Sequence, residues 1–300
     1  MSAIRLSPAV ADALAAGRPV VALESTIFSR LGLPDPDGLA ALVRCLAAVR
    51  AGGAEPAVTA VLDGVARVGL DEHEHERILG CDRKVAERDL PFAVGAVWPC
   101  GVTTVSASLR LAALAGIRVF ATGGIGGVHR DVEHSGDVSA DLGAIARHPV
   151  VTVSAGAKVF LDLPRTLEHL ETLGVPVMSL AFDEFPAFTT RSVGLLSPRR
   201  VDTVDEVAAV VTAARGLGYD GGLLLAVPVP EGEGLPRELI EQATESAHAA
   251  AAAAGISGPA VTPFVLGRIA EATEGRSVPA NLALAENNAL VAAQLAAALA

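Results

Sequence analysis

Strand-like and helix-like segments alternate along almost the whole chain. Short β-branched apolar runs at 19–23, 57–62, 118–122, 150–154, 176–180 and 222–227 read as buried strands. Longer stretches with helical spacing fall at 38–50, 103–115, 139–147, 161–173 and 204–217, and the chain from 236 onward reads as mainly helical. An apolar run at 92–97 is a further candidate strand. Strands joined through helices come back parallel, so the alternation predicts an α/β protein with a largely parallel central sheet and helices on both faces. No long low-complexity linker or internal repeat interrupts residues 1–300, which points to a single α/β/α domain with a helical C-terminal region. Polar residues cluster where the strands end, the place where open α/β sheets hold their ligands.

Composition excludes several classes of function. Mean hydropathy is +0.46, yet no run of ~18 apolar residues is free of charged or turn residues, which argues against a transmembrane helix and a membrane partner. Arg5, Asp12 and Arg18 leave no apolar signal-peptide core near the start. A formal charge of −11, the lack of basic runs and a 3 % aromatic content argue against nucleic acid as a partner. Cys45, Cys81 and Cys100 are odd in number and lack metal-ligand spacing, so a reducing, cytoplasmic setting is expected.

Four segments carry candidate chemistry. In the first, residues 20–26, an apolar strand runs into Glu24, Ser25 and Thr26. A carboxyl group among apolar neighbours acquires a raised pKa suited to a general acid; a helix-capping or buried, hydrogen-bonded Glu is the structural alternative. The second, residues 122–130, is a glycine-rich loop that includes Thr122, His129 and Arg130. It lacks both the dinucleotide and the Walker patterns, and reads either as a phosphate or sugar-phosphate cradle or as a tight turn. The third, residues 130–141, is acidic. Asp137 and Asp141 stand at i and i+4 with Ser139 between them, so a helix here would put both carboxylates on one face. Such a pair suits a hard cation such as Mg²⁺ or Mn²⁺, or simply an acidic helix N-terminus.

The fourth, residues 151–158, leads through small residues to Lys158. Of 23 basic residues only Lys84 and Lys158 are lysines. A desolvated lysine amine forms Schiff bases, which arginine does not. Lys84 lies in a charged stretch and reads as a phosphate-binding point charge or as plain surface. The run 71–76 contains His73 and His75, but i, i+2 spacing puts them on different helix faces, and it reads as a solvated helix start.

These segments, in this order, resemble the pseudouridine-5′-phosphate glycosidase family over nearly the whole chain. The matching motifs are VALESTI at 21–27, Lys84 with RDLPF at 88–92, and TTV at 103–105. VFATGGIGGVHR at 119–130, DVSADL at 137–142 and SAGAK at 154–158 follow, then PVPE at 228–231, TPF at 262–264 and Asn287–Asn288. The resemblance implies reversible cleavage of the C–C bond of pseudouridine 5′-phosphate, giving uracil and ribose 5-phosphate. It implies Lys158 as Schiff-base nucleophile, Glu24 as proton donor and Asp137 as the ligand of Mn²⁺ or another divalent cation. Substrate contacts are implied for Lys84, Thr104, Val105, Thr122, His129, Ser139, Ala140, Asp141 and Asn281, and a homotrimer for the assembly. The sequence departs from the family pattern at Val227, where Asn is usual, at Gly136, in the spacing of 96–101, and in the unfamiliar stretch 181–200. Competing readings are another Schiff-base enzyme on sugar phosphates, a ribokinase-like phosphotransferase, and a non-catalytic sugar-phosphate-binding protein.

Overall fold

The computed structural model describes residues 4–33, 35–256 and 258–300. Among them the strands are β1 (Arg5–Leu6), β2 (Val20–Leu23), β3 (Glu55–Leu62), β4 (Val65–Val68), β5 (Lys84–Val85) and β6 (Cys100–Thr103). They continue with β7 (Val119–Ala121), β8 (Val151–Ser154), β9 (Val177–Leu180), β10 (Arg200–Val201) and β11 (Leu223–Ala226). The sheet runs β1-β4-β3-β2-β7-β8-β11-β9-β10, with β6 added to β3 and β5 to β6. The pairs are parallel except β3–β4 and β3–β6. The expected α/β class and largely parallel sheet are therefore present, with an antiparallel annex built on the long strand β3.

The central strands are buried along their whole length. Covered on both faces, they read as continuous apolar runs rather than alternating ones. The C-terminal helix Ser277–Ala298 lies against β7 and the helix Asp37–Ala51. Its buried face includes Ala285, Ala289, Ala292, Ala293 and Ala296, small side chains that let backbones approach closely. The approach is close enough that a Cβ on Gly52 would come within 2.5 Å of the Ala293 Cβ. Much of the alanine content thus serves helix formation and tight helix packing.

Residues 92–97 are not a strand. Leu90–Gly95 form a short helix, with Pro91 in its first turn where a missing N–H costs nothing. Phe92 is 69 % exposed, so the segment rides on the surface instead of entering the sheet. The expected helix 103–115 begins at Val105, because Thr103 closes β6 and Thr104 caps the helix. The helix expected over 139–147 spans Ala140–Arg147, with Ser139 as its N-cap. Asp137 therefore precedes the helix, and the expected i, i+4 carboxylate face does not form. The acidic run at 71–76 is the helix start expected: Asp71 and Glu74 form a capping box.

Strand order fixes where a ligand belongs. From β2 the chain moves to β3 on one side, whereas β7 pairs with β2 on the other and leads on to β8. The gap between β2 and β7 is a topological switch point, and a crevice opens there beyond the carboxyl ends of the strands.

Candidate active site

Glu24 and Thr122 leave the sheet at that switch point. Leu23 pairs with Ala121 in the β2–β7 register, so the next residue of each strand emerges beside its neighbour. The Thr122 hydroxyl donates to Glu24 Oε1. Glu24 is buried. Burial pushes its carboxyl group up to about 7, against the opposing pull of the Lys158 charge and the Thr122 hydrogen bond.

The glycine-rich loop that follows Thr122 is fixed by its surroundings. Asp141 is buried, and its two oxygens accept the amides of Gly126 (2.9 Å) and Ser106 (3.1 Å). It thus ties the loop to the start of the helix Val105–Ala115. Ser139 accepts the Asp141 amide at 3.2 Å, and its own amide donates to the Gly127 carbonyl at 2.9 Å. A Cβ on Gly126 would fall 2.2 Å from Ser139 Oγ, so the loop and the helix N-terminus meet only because that position is glycine. His129 Nδ1 lies 3.8 Å from Asp137 Oδ2, and burial holds this imidazole below its usual range.

Lys158 follows β8. Its backbone amide donates to the Ile125 carbonyl at 3.1 Å, and the Ala155 amide donates to Gly123 at 2.9 Å. The loop carrying the lysine is thereby bonded to the loop carrying the glycines. Lys84 comes from β5, whose Val85 carbonyl accepts the Thr104 amide at 3.0 Å. Partial burial, and then repulsion from Lys158, hold the Lys84 amine below the usual lysine range.

One cavity of about 700 Å³ collects these groups. Glu24, Lys84, Thr104, Val105, His129 and Asp137 line it, as do Ser139, Ala140, Asp141, Lys158 and Asn281. Thr122 stands behind Glu24 and does not line the cavity. Neither does Val227: it is buried, with its amide on the Ser154 carbonyl at 2.8 Å, so this departure from the family pattern falls in the core. Gly136 lies on the cavity wall at φ 63°, a conformation that disfavours the larger residue usual there.

The sequence did not reveal the role of Phe188. It belongs to the stretch 181–200, is buried at φ 61°, and lines the cavity. A Cβ on Gly124 would meet its ring at 2.7 Å. A bulky residue in the left-handed region stores strain, which is a mark of functional sites but leaves no sequence signature. Ile27 and Arg88 also line the cavity; both belong to the quoted motifs, yet nothing in their spacing singled them out.

The arrangement supports proton transfer and amine chemistry on a compact anionic ligand. A buried carboxyl group is raised to about 7, a lysine opens on the same space, a second lysine provides cationic character, and His129 offers a polar imidazole.

Comparison with known proteins gives a consistent picture. Residues 9–298 match the family model described as indigoidine synthase A like protein. The pseudouridine-5′-phosphate glycosidase of Methylobacterium nodulans is 52 % identical over 98 % of this chain and 87 % of its own length. That of Solibacter usitatus is 49 % identical over 98 % of both chains, and that of Arabidopsis thaliana 46 % over 99 % and 91 %. Among solved structures, the prealnumycin C-glycosynthase AlnA in complex with ribulose 5-phosphate superposes with a TM-score of 0.90 at 35 % identity, covering 99 % of this chain and 96 % of that one. An indigoidine synthase A-like protein from Thermotoga maritima gives 0.84 at 36 % identity, covering 93 % and 92 %.

Proposed function

Because this chain belongs to the indigoidine synthase A-like protein family, we propose that it acts as its pseudouridine-5′-phosphate glycosidase relatives are named to act. It is an enzyme of that family. Its reaction is the reversible cleavage of the C5–C1′ bond of pseudouridine 5′-phosphate to uracil and ribose 5-phosphate. The observation that carries this reading is the buried Glu24 opening on the same cavity as Lys158.

A C-glycoside has no basic leaving nitrogen, so protonation alone does not break it. In the proposed path O4′ leaves C1′ as the Lys158 amine adds to C1′, and the proton that the amine gives up passes to O4′, which becomes the 4′-hydroxyl. Glu24 then delivers a proton to uracil C5. The nitrogen lone pair forms the C1′ iminium as the C1′–C5 electrons leave with the base. Water hydrolyses the iminium, releasing ribose 5-phosphate, restoring the neutral amine and returning a proton to Glu24. One water is consumed and no external electron acceptor is needed. With its carboxyl group near 7, Glu24 can donate and recover a proton at neutral pH. Lys84, His129 and Ser139 bind and orient the sugar phosphate; Thr104, Val105, Ala140, Asp141 and Asn281 complete the substrate wall.

For a divalent cation, the donor set fits a hydrated ion rather than a protein cage. Among the described residues no three His, Cys, Asp or Glu side chains gather to hold a metal. Asp137 fits as a single carboxylate ligand for Mn²⁺, since its side chain is 35 % exposed on the cavity wall. Hard cations keep several waters and need few protein oxygens. When bound, the ion would supply charge to neutralise the phosphate. Assembly as a homotrimer belongs to the same proposal, and exposed Phe92 and Val97, near the cavity-lining Arg88 and Asp89, support a contact surface there. Three free cysteines agree with a reducing, cytoplasmic setting.

Incubation with pseudouridine 5′-phosphate and Mn²⁺ should release uracil in step with ribose 5-phosphate, without ATP. Absence of uracil release from folded protein contradicts the reading.

A further inference from the structure

The C-terminal helix presents one stripe of side chains to the glycine-rich loop. Asn281, Leu284 and Asn288 are spaced i, i+3, i+7 and so share a helix face. Asn288 is fully buried, and its Nδ2 donates to the Thr122 carbonyl at 2.8 Å and to the Gly123 carbonyl at 3.2 Å. Both partners are carbonyl oxygens, so only the N–H₂ end of the amide serves here. Leu284 and Asn281 close on the same point: a Cβ on Gly123 would lie 3.3 Å from Leu284 Cδ1 and 3.4 Å from Asn281 Oδ1.

The next link is Thr122 itself. Its carbonyl is held by Asn288 and its hydroxyl donates to Glu24 Oε1. A side chain of the last helix is thus connected through one residue to the carboxyl group at the switch point. We infer that Asn288 is a positioning residue: it holds the Thr122–Gly123 backbone so that the Thr122 hydroxyl stays on Glu24, and thereby sets how Glu24 retains its proton. This extends the reading of Glu24 as the acid of the proposed reaction, and gives a role to the Asn287–Asn288 motif.

The expected direction follows from the bond. The Thr122 hydroxyl donates to the carboxylate and so favours its ionised form. The charged groups facing Glu24 are Lys158 and Asp141, and substitution at 122 or 288 leaves both in place. Loss of the Thr122 bond should therefore raise the titration midpoint of Glu24 by about one pH unit, the usual effect of one hydrogen bond to a charged group.

The test is a carboxyl ¹³C NMR titration of protein labelled with ¹³C at the glutamate side-chain carboxyl, without substrate. The Glu24 signal is assigned by its loss in Glu24→Gln. Thr122→Val should raise the midpoint by about one pH unit, and Asn288→Ala should raise it by less. The double variant should move no further than Thr122→Val, because Asn288 acts through Thr122. Leu284→Ala, which loosens the same stripe without removing a hydrogen bond, should lower the Tm and leave the midpoint in place. Asn288→Ser, which keeps a donor without its reach, replaces the alanine variant if that one does not fold. The inference is overturned if Asn288→Ala (or Asn288→Ser) keeps the wild-type midpoint, if the double variant adds a second shift, or if Leu284→Ala shifts it equally. The titration needs no turnover, so a failure to release uracil would refute the reaction and leave this result standing.

Discussion

A carboxyl group buried at the end of a strand weakens the fold when it ionises. Glu24 has its midpoint raised from 4.5 to about 7. The native state then binds more protons than the unfolded chain between those values, and stability falls as pH rises through that window. The difference corresponds to on the order of 3 kcal/mol. Urea unfolding of the wild type should show this loss from pH 4.5 to pH 7, and Glu24→Gln should largely abolish it; an equal loss in the variant would contradict the burial argument. Lys84→Met should raise KM about tenfold or more with a smaller change in kcat, since it removes a point charge from the phosphate end of the proposed site. Both residues were legible in the sequence, Glu24 as a carboxylate at a strand end and Lys84 as one of two lysines among 23 basic residues. Phe188 was not, because its place on the cavity wall depends on a loop returning from β9 over the glycine-rich segment.

At the scale of elements, the loops beyond β7 and β8 work as one unit with the segment that carries Phe188. The Phe188 amide donates to the Ala155 carbonyl at 2.8 Å, and Gly156, at φ 70°, brings its backbone under Pro186. A Cβ on Gly156 would lie 1.8 Å from the Pro186 carbonyl oxygen. Gly156→Ala should therefore cost roughly 3 kcal/mol by denaturant unfolding and displace Lys158, two residues away, with loss of turnover. Near-wild-type stability would contradict the packing described. The main strands and helices were legible because buried parallel strands read as apolar runs and helices keep their period. The short strands β1, β5 and β10 were not, since two residues carry no period, and neither were the four-residue strands β4 and β6 of the antiparallel annex. The run at 92–97 misled for a related reason: six residues rich in apolar side chains fit a strand or a helix turn equally well, and only their exposure separates the two. The shared Asp137–Asp141 face failed because Ser139 starts the helix after Asp137 rather than before it.

Across the whole molecule, a chain of net charge −11 is proposed to bind a phosphorylated substrate. Lys84, Arg88 and Lys158 gather on one cavity, with His129 beside them. That convergence draws on three separate segments, which is why the family motifs were readable one by one while their geometry was not. For assembly, light scattering should give the mass of a homotrimer, and Phe92→Asp should reduce it if the exposed apolar helix is part of the contact; an unchanged trimer would place the contact elsewhere. The central claim is that Lys158 carries the sugar as an imine. Borohydride reduction in the presence of ribose 5-phosphate, followed by peptide mass spectrometry, tests it most directly. The expected result is a stable adduct, with the mass of the reduced sugar phosphate, on the peptide containing Lys158 and none in Lys158→Ala. Active enzyme that yields no adduct, or an adduct confined to Lys84, would contradict the account.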